Sequence, residues 1–70
     1  MAAPFLARAS DDGRASAQPV FDAASPIEAA ILFAERWEGT GELAITVIDA
    51  QTGHEQCFRI DLDDHTAEPC

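Results

Sequence analysis

The amino-acid sequence predicts a small α+β domain in which one helix packs on an antiparallel sheet, with the element order β-β-α-β-β. Two observations carry this prediction. A capped amphipathic segment follows Ser25, and two segments on either side of Gly53 alternate apolar and polar residues as hairpin strands do. The chain has 70 residues, which is enough for one small domain, so we treat residues 1–70 as a single unit.

The N-terminal part predicts a short first hairpin. Residues 4–9 and 17–22 have strand character, and residues 11–14 between them carry a turn signal. Pro19 predicts that the second strand is short or lies at a sheet edge, because proline cannot donate a ladder hydrogen bond. The alternative is that residues 1–18 are flexible.

The segment that begins at Ser25 predicts the helix. Ser25 is a good N-cap, Pro26 suits the first helical position, and Glu28 completes a capping box. We expect a helix from Pro26 to about Glu38, ended by the glycines that follow. A helical wheel predicts a broad apolar arc made of Ile27, Ala30, Ile31, Phe33, Ala34 and Trp37.

Residues 42–49 and 54–62 predict the second hairpin. The four residues between Asp49 and His54 form a loop in which Gly53 can take a positive φ. This register places Ile45 opposite Phe58, and the parity of both strands then agrees with their pattern. We expect the helix to cover the face that carries Leu43, Ile45, Val47, Phe58 and Ile60. The remaining residues, 63–70, are expected to form a polar tail.

Composition excludes several classes of function. The 13 acidic residues outnumber the four arginines, lysine is absent, and the net charge of −9 argues against direct binding of nucleic-acid phosphates. No apolar run is long enough to span a membrane, and no secretory signal is apparent, so we expect a cytoplasmic protein. Abundant alanine without lysine, asparagine or tyrosine is typical of GC-rich genomes and favours a bacterial source.

No arrangement of residues predicts an enzyme. The sequence offers no Ser/His/Asp constellation and no phosphate-binding glycine loop. A nucleophile, a base and an orienting group are not brought together by any pattern that we recognise. We therefore expect a non-enzymatic protein without a cofactor.

The outer face of the sheet is the leading candidate for a protein interface. Fourteen of the hydrophobic residues are alanine, and setting aside Met1 and the two cysteines as well leaves sixteen large apolar side chains to build a core. Small domains with a thin core often gain stability by association, and we expect a homodimer or another protein partner. The expected outer-face residues are moderately apolar, and Leu32 is a further exposed candidate among the helix charges. The predicted interface consists of Ala44, Thr46, Ile48, Cys57, Arg59 and Leu32.

A zinc site is the alternative from a different functional class. The chain's soft ligands follow the spacing H-x2-C-x7-H-x4-C, formed by His54, Cys57, His65 and Cys70. Strand parity opposes this site, because residues three apart on a strand point to opposite faces. A Cys57–Cys70 disulfide is also conceivable, but the expected reducing compartment favours free thiols.

A third alternative is an acidic decoy that imitates nucleic acid and blocks a basic partner. The acidic C-terminal third motivates it, since charge becomes more negative along the chain. In the predicted register Glu42 and Asp61 stand opposite each other, which is unfavourable unless they are solvated or bridged by a cation. Binding by such a decoy would weaken steeply with salt.

Two stretches carry a resemblance to known proteins. The segment Ala24-Ser-Pro-Ile-Glu-Ala-Ala-Ile-Leu-Phe-Ala-Glu-Arg-Trp37, the hairpin over residues 49–61 and the Glu68-Pro69-Cys70 ending resemble a family of small uncharacterised bacterial proteins. The likeness covers residues 20–70 and implies no activity, cofactor or partner. The order of elements is also similar to HicB-like antitoxin domains, although the aromatic-Pro-x-x-Gly segment before the helix is absent; that similarity implies the fold alone.

Overall fold

One helix packs against one face of a five-stranded antiparallel sheet in the computed structural model, which describes residues 3–10, 17–37 and 39–70. The strands lie in the order β2-β1-β3-β4-β5. The elements in chain order are β1 (Phe5–Ala9), β2 (Gln18–Val20), α1 (Pro26–Glu35), β3 (Glu42–Asp49), β4 (Glu55–Asp61) and β5 (Thr66–Pro69). The predicted α+β class is confirmed. In the described part of the chain, no helix is long and apolar enough to cross a membrane.

The first hairpin is present and shorter than predicted. Antiparallel pairing joins β1 to β2, with Leu6 opposite Pro19. The three-residue β2 lies at the edge of the sheet, as the proline indicates. The predicted turn over residues 11–14 lies outside the described residues.

The N-terminus of α1 follows the prediction. The Ser25 hydroxyl accepts a hydrogen bond from the Glu28 backbone N–H at 3.3 Å, and Pro26 occupies the first turn. The helix ends at Glu35, earlier than expected, because the backbone N–H groups of Arg36 and Trp37 bond three residues back, to Phe33 and Ala34, and close a tight final turn. Glu38, the expected end, lies outside the described residues.

The helix buries alanines rather than its largest side chains. Ala29 and Ala30 have no exposed surface, whereas Ile27 and Trp37 are each 41% exposed. The expected apolar arc is therefore wrong at these two positions. The sheet also offers small side chains here, such as the fully buried Ala7. Small residues on both layers permit a close approach, which leaves the bulky side chains at the margin of the contact.

The register of β3 and β4 is the predicted one. Ile45 pairs with Phe58, and the Asp49 N–H donates to the His54 carbonyl at 2.8 Å across the four-residue loop. Gly53 has a φ of +78°, which is the conformation the loop requires. The face expected to meet the helix is buried throughout, at Leu43, Ile45, Val47, Phe58 and Ile60.

A fifth strand corrects the prediction of a polar tail after residue 62. Residues Thr66–Pro69 form β5 and pair with β4, with Ala67 opposite Ile60. The turn before β5 is built around Asp61, whose carboxylate accepts the N–H groups of Asp63 at 2.9 Å and Asp64 at 3.3 Å. The observed order is therefore β-β-α-β-β-β.

Candidate interaction surface

The face of the sheet opposite α1 is open. Alternate residues of β1, β3, β4 and β5 point away from the helix, and no described element packs against them. We call this surface the uncovered face. Rather than folding back across the sheet, β1 and β2 widen it at one side, so these two strands do not cover the face. The residues of the uncovered face are Leu6, Arg8, Glu42, Ala44, Thr46, Ile48, Glu55, Cys57, Arg59, Asp61, Thr66, Glu68 and Cys70.

One corner of the uncovered face is apolar. Leu6 of β1 stands between Pro19 of β2 and Ile48 of β3, and Leu6 and Ile48 are both only partly buried. Ala44 and Thr46 extend this partly buried strip along the central strand β3. Contiguous apolar area at the middle of an open sheet face is a feature of interaction sites rather than of scattered surface residues.

Arg8 crosses the middle of the uncovered face. Its Nη2 atom lies 3.4 Å from Oε1 of Glu55, which is two strands away on β4. Its Nε atom is shielded from solvent and finds no hydrogen-bond partner within the described part of the chain. Beside it, the hydroxyls of Ser10 and Thr46 are 2.7 Å apart. The guanidinium therefore lies along the sheet and presents a cation beside the apolar corner.

The opposite corner of the uncovered face is acidic. Glu42 stands opposite Asp61, as the register predicts, and Glu68 lies opposite Arg59 on the neighbouring strand pair. Arg59 Nε is 3.9 Å from Glu42 Oε2, and the Asp61 carboxylate is occupied by turn N–H groups. These contacts explain how the two facing carboxylates are tolerated. One corner thus carries apolar residues beside the Arg8–Glu55 ion pair, and at the other corner three carboxylates outnumber the single cation Arg59.

A disulfide joins Cys57 to Cys70 on the uncovered face, with 5.4 Å between their Cα atoms. The expectation of free thiols is therefore wrong. That expectation is based on a reducing compartment. In the structure, the pairing of β5 with β4 brings Cys57 and Cys70 side by side. The Cys70 N–H also donates to the Cys57 carbonyl at 3.1 Å.

The predicted zinc ligands are not brought together. A disulfide removes the two thiolates that the site would need. His54 precedes β4 and His65 follows it, so the length of a seven-residue strand, about 20 Å, separates them. Over residues 3–10, 17–37 and 39–70, no three His, Cys, Asp or Glu side chains are grouped as a metal site would require.

Leu32 does not belong to the predicted interface. It lies on the helix layer, on the other side of the sheet from Ile48, and packs partly against the core. With Phe33, Trp37 and Val20 it lines a groove of about 150 Å³ between α1 and β2. Pockets for drug-sized ligands are at least about 300 Å³. The groove therefore does not indicate a site for a ligand of that size.

Comparison with known protein families shows which group the chain falls into. The model of a family of unknown function, DUF5961, matches residues 3–70, which is nearly the whole sequence. The chain belongs to this family. No curated protein and no solved structure matches it. The uncovered face lies within the matched segment, so the surface described above belongs to the DUF5961 domain itself.

The remaining interface candidates of this DUF5961 member lie where the sequence predicts. Ala44, Thr46, Ile48, Cys57 and Arg59 share the uncovered face, and their role as an interface stays a prediction. Sequence reasoning missed Leu6, Arg8 and Cys70 as members of the same surface. The alternation of β1, with Phe5, Ala7 and Ala9 inward, was the available signal for the first two. Cys70 had no local signal, because its position depends on β5.

Proposed function

We propose that this chain is a non-enzymatic protein-interaction module that pairs with a second copy of itself through the uncovered face. The observation that carries the proposal is the open, partly apolar strip around Leu6 and Ile48 on a sheet whose other face is covered by α1. Burying such a strip against a second copy removes apolar area from water.

The sheet edges are poorer sites for pairing than the face. The edge strands β2 and β5 have three and four residues, and each contains a proline, Pro19 or Pro69. Short strands and prolines are devices by which natural sheets discourage edge-to-edge pairing. The face carries no comparable device at its apolar corner.

Charge supports a second copy as the occupant. The guanidinium of Arg8 reaches from the middle of the face towards the apolar corner, where it pairs with Glu55, while Glu42, Asp61 and Glu68 lie at the opposite corner. Two sheets that cross near right angles about a two-fold axis place each Arg8-bearing corner against the acidic corner of the other copy. A single surface is then complementary to itself, which is the requirement of a symmetric dimer.

The size of the face predicts a weak dimer. Five short strands offer a flat area of roughly 400–500 Å² per copy. Two copies then bury about 800–1,000 Å² in total, which is the range of weak or transient interfaces. We therefore propose association in the micromolar range, with the repulsion between two chains of net charge −9 keeping it weak.

The proposed location is the cytoplasm, as the sequence analysis expects. Disulfides in that compartment are mostly transient, catalytic or redox-sensing. A disulfide at Cys57 and Cys70 is compatible with a cytoplasmic protein on the condition that it exchanges with cellular thiols.

Replacing Ile48 by glutamate tests the proposal. Ile48→Glu places a charge in the apolar strip and faces it towards the partner's surface, so we expect the variant to be monomeric where the parent is dimeric. Ile27→Glu is the matched control, because Ile27 is a 41% exposed isoleucine on the helix layer and the charge change is the same. Sedimentation equilibrium gives the association state, and far-UV circular dichroism checks the fold of both variants.

The outcomes separate the candidate functions. Loss of association in Ile48→Glu with retention in Ile27→Glu supports the face. Equal association in both variants shows that another surface is used. A parent that stays monomeric but binds a basic protein in a salt-sensitive way would favour the acidic decoy instead.

A further inference from the structure

We propose that the Cys57–Cys70 disulfide is a thiol-exchange site whose reduction by a dithiol releases β5 from the sheet. The inference does not rest on self-association, because it concerns one chain and one strand. Its observations are the accessibility of the two cysteines, the weak burial of β5 and the position of the disulfide immediately after that strand.

The disulfide lies where a reductant can reach it. Cys70 is exposed, and Cys57 is partly buried on the uncovered face. β5 is an edge strand, so nothing described pairs with its outer side. Access to a sulfur atom is one of the conditions that decide how fast a disulfide exchanges.

The exchange balances as two successive displacements. The thiolate of the dithiol attacks Cys70 Sγ, a mixed disulfide forms, and Cys57 leaves as a thiolate that takes up a proton. The second thiol of the dithiol then attacks the dithiol sulfur that is bonded to Cys70. Cys70 leaves as a thiolate and takes up the proton that the second thiol gives up. Two electrons pass to the chain, and the dithiol leaves as its cyclic disulfide.

Side chains hold β5 only weakly. Ala67 is its one partly buried residue, while Thr66, Glu68 and Pro69 are exposed. Its other attachments are contacts with α1 and the backbone ladder to β4, and the hydrogen bond from the Cys70 N–H to the Cys57 carbonyl, at 3.1 Å, continues that ladder. Backbone hydrogen bonds contribute modestly on balance, and ordering each residue costs comparable free energy. The covalent link is therefore the main restraint on the strand.

Release of β5 would uncover the edge of β4. Phe58 and Ile60 lose their pairs Pro69 and Ala67, and the backbone of a seven-residue strand becomes free on that side. An unpaired edge of this kind is a template for strand addition. Reduction thus replaces the short, proline-containing strand β5 by the longer strand β4 as the edge of the sheet.

Residue-resolved hydrogen exchange tests the inference in the full chain. The Cys70 amide reports on β5, and the Asp49 amide, which donates to His54 at 2.8 Å, is the internal control in the β3–β4 hairpin. On adding dithiothreitol we expect the protection of residue 70 to fall at least about tenfold more than that of Asp49, whose protection falls only by the loss of global stability. The double variant Cys57→Ser/Cys70→Ser should show the reduced pattern without reductant and should not respond to it.

Three results would overturn the inference. A disulfide that resists dithiothreitol in the folded chain is not an exchange site. Unchanged protection at residue 70 after complete reduction means that β5 is held by its ladder. Equal loss at Cys70 and Asp49 means that reduction unfolds the whole domain rather than releasing one strand.

Discussion

Leu6 and Ile48 are cross-strand partners on the face of the sheet that α1 leaves open, and both are only partly buried. This pair marks the difference between the two faces of the sheet. Inward residues of the same strands, such as Ala7 and Val47, are buried to 1% exposure or less, so the two faces of the sheet are used very differently. The inward face builds the fold, and the outward face is available for a partner.

Salt should strengthen self-association. Each chain carries a net charge of −9, so two chains repel one another over a long range, while exposed pairs such as Arg8 with a partner carboxylate contribute little affinity. Raising NaCl from about 50 mM to about 500 mM screens the repulsion. We expect the dissociation constant of the dimer to fall, as measured by sedimentation. A dissociation constant that rises steeply with salt would contradict this expectation, because it would mean that attraction between opposite charges holds the two chains together.

Association should slow the reduction of the disulfide. Cys57 and Cys70 lie on the uncovered face, which the proposed dimer buries. At a fixed concentration of dithiothreitol, the observed rate constant of reduction should decrease as the protein concentration passes through the dissociation constant. Ile48→Glu should show the same rate constant at every protein concentration. A parent whose rate constant is equally insensitive would place the interface elsewhere.

Removing the disulfide should destabilise the domain. The bond closes a loop between positions 13 residues apart, and a loop of this size corresponds to about 3 kcal/mol in the chain-entropy view. Cys57→Ser/Cys70→Ser should therefore melt roughly 10–20 °C below the oxidised parent. Reduced parent protein should melt near the double variant. A shift of under about 2 °C would mean that the bond adds no stability.

Both β-hairpin turns should favour glycine at the position that has a positive φ. Asp49 and Asp61 each accept two backbone N–H groups of the loop that follows, and the positive φ falls on Gly53 in one turn and on His65, at 57°, in the other. His65→Gly should stabilise the chain by up to about 1 kcal/mol, and Gly53→Ala should cost about 1–2 kcal/mol. Nothing lies within 4 Å of a Cβ built at Gly53, so its effect is conformational. Urea denaturation measures both.

The second hairpin is the part of the fold that the sequence defines best. Its register follows from local information: two alternating segments, a loop of four residues and Gly53 at the position that needs a positive φ. A shift of β4 by one residue would expose Phe58 and bury Arg59. The pattern and the turn therefore agree on one register, and the position of Ala44, Thr46 and Ile48 on the uncovered face follows from it.

The fifth strand is the part that local information does not reveal. Residues Thr66–Pro69 have no alternation of apolar and polar residues. They are held as a strand by the hydrogen-bond ladder to β4 and by the Cys57–Cys70 disulfide. The turn at Asp61 repeats that at Asp49, but His65 replaces the glycine that would have signalled it. For a similar reason, the sequence does not predict which helix residues face the sheet. The close packing of the helix alanines depends on small residues of the sheet opposite, such as Ala7.

Sedimentation equilibrium of the oxidised parent chain over a wide range of concentration shows whether the uncovered face pairs with a second copy. We expect the average mass to rise from one chain to two within the micromolar range and to stop there, because a symmetric face-to-face dimer closes on itself. A mass that remains that of one chain up to millimolar concentration would contradict the claim that the uncovered face pairs with a second copy. Continued growth beyond two chains would contradict it as well.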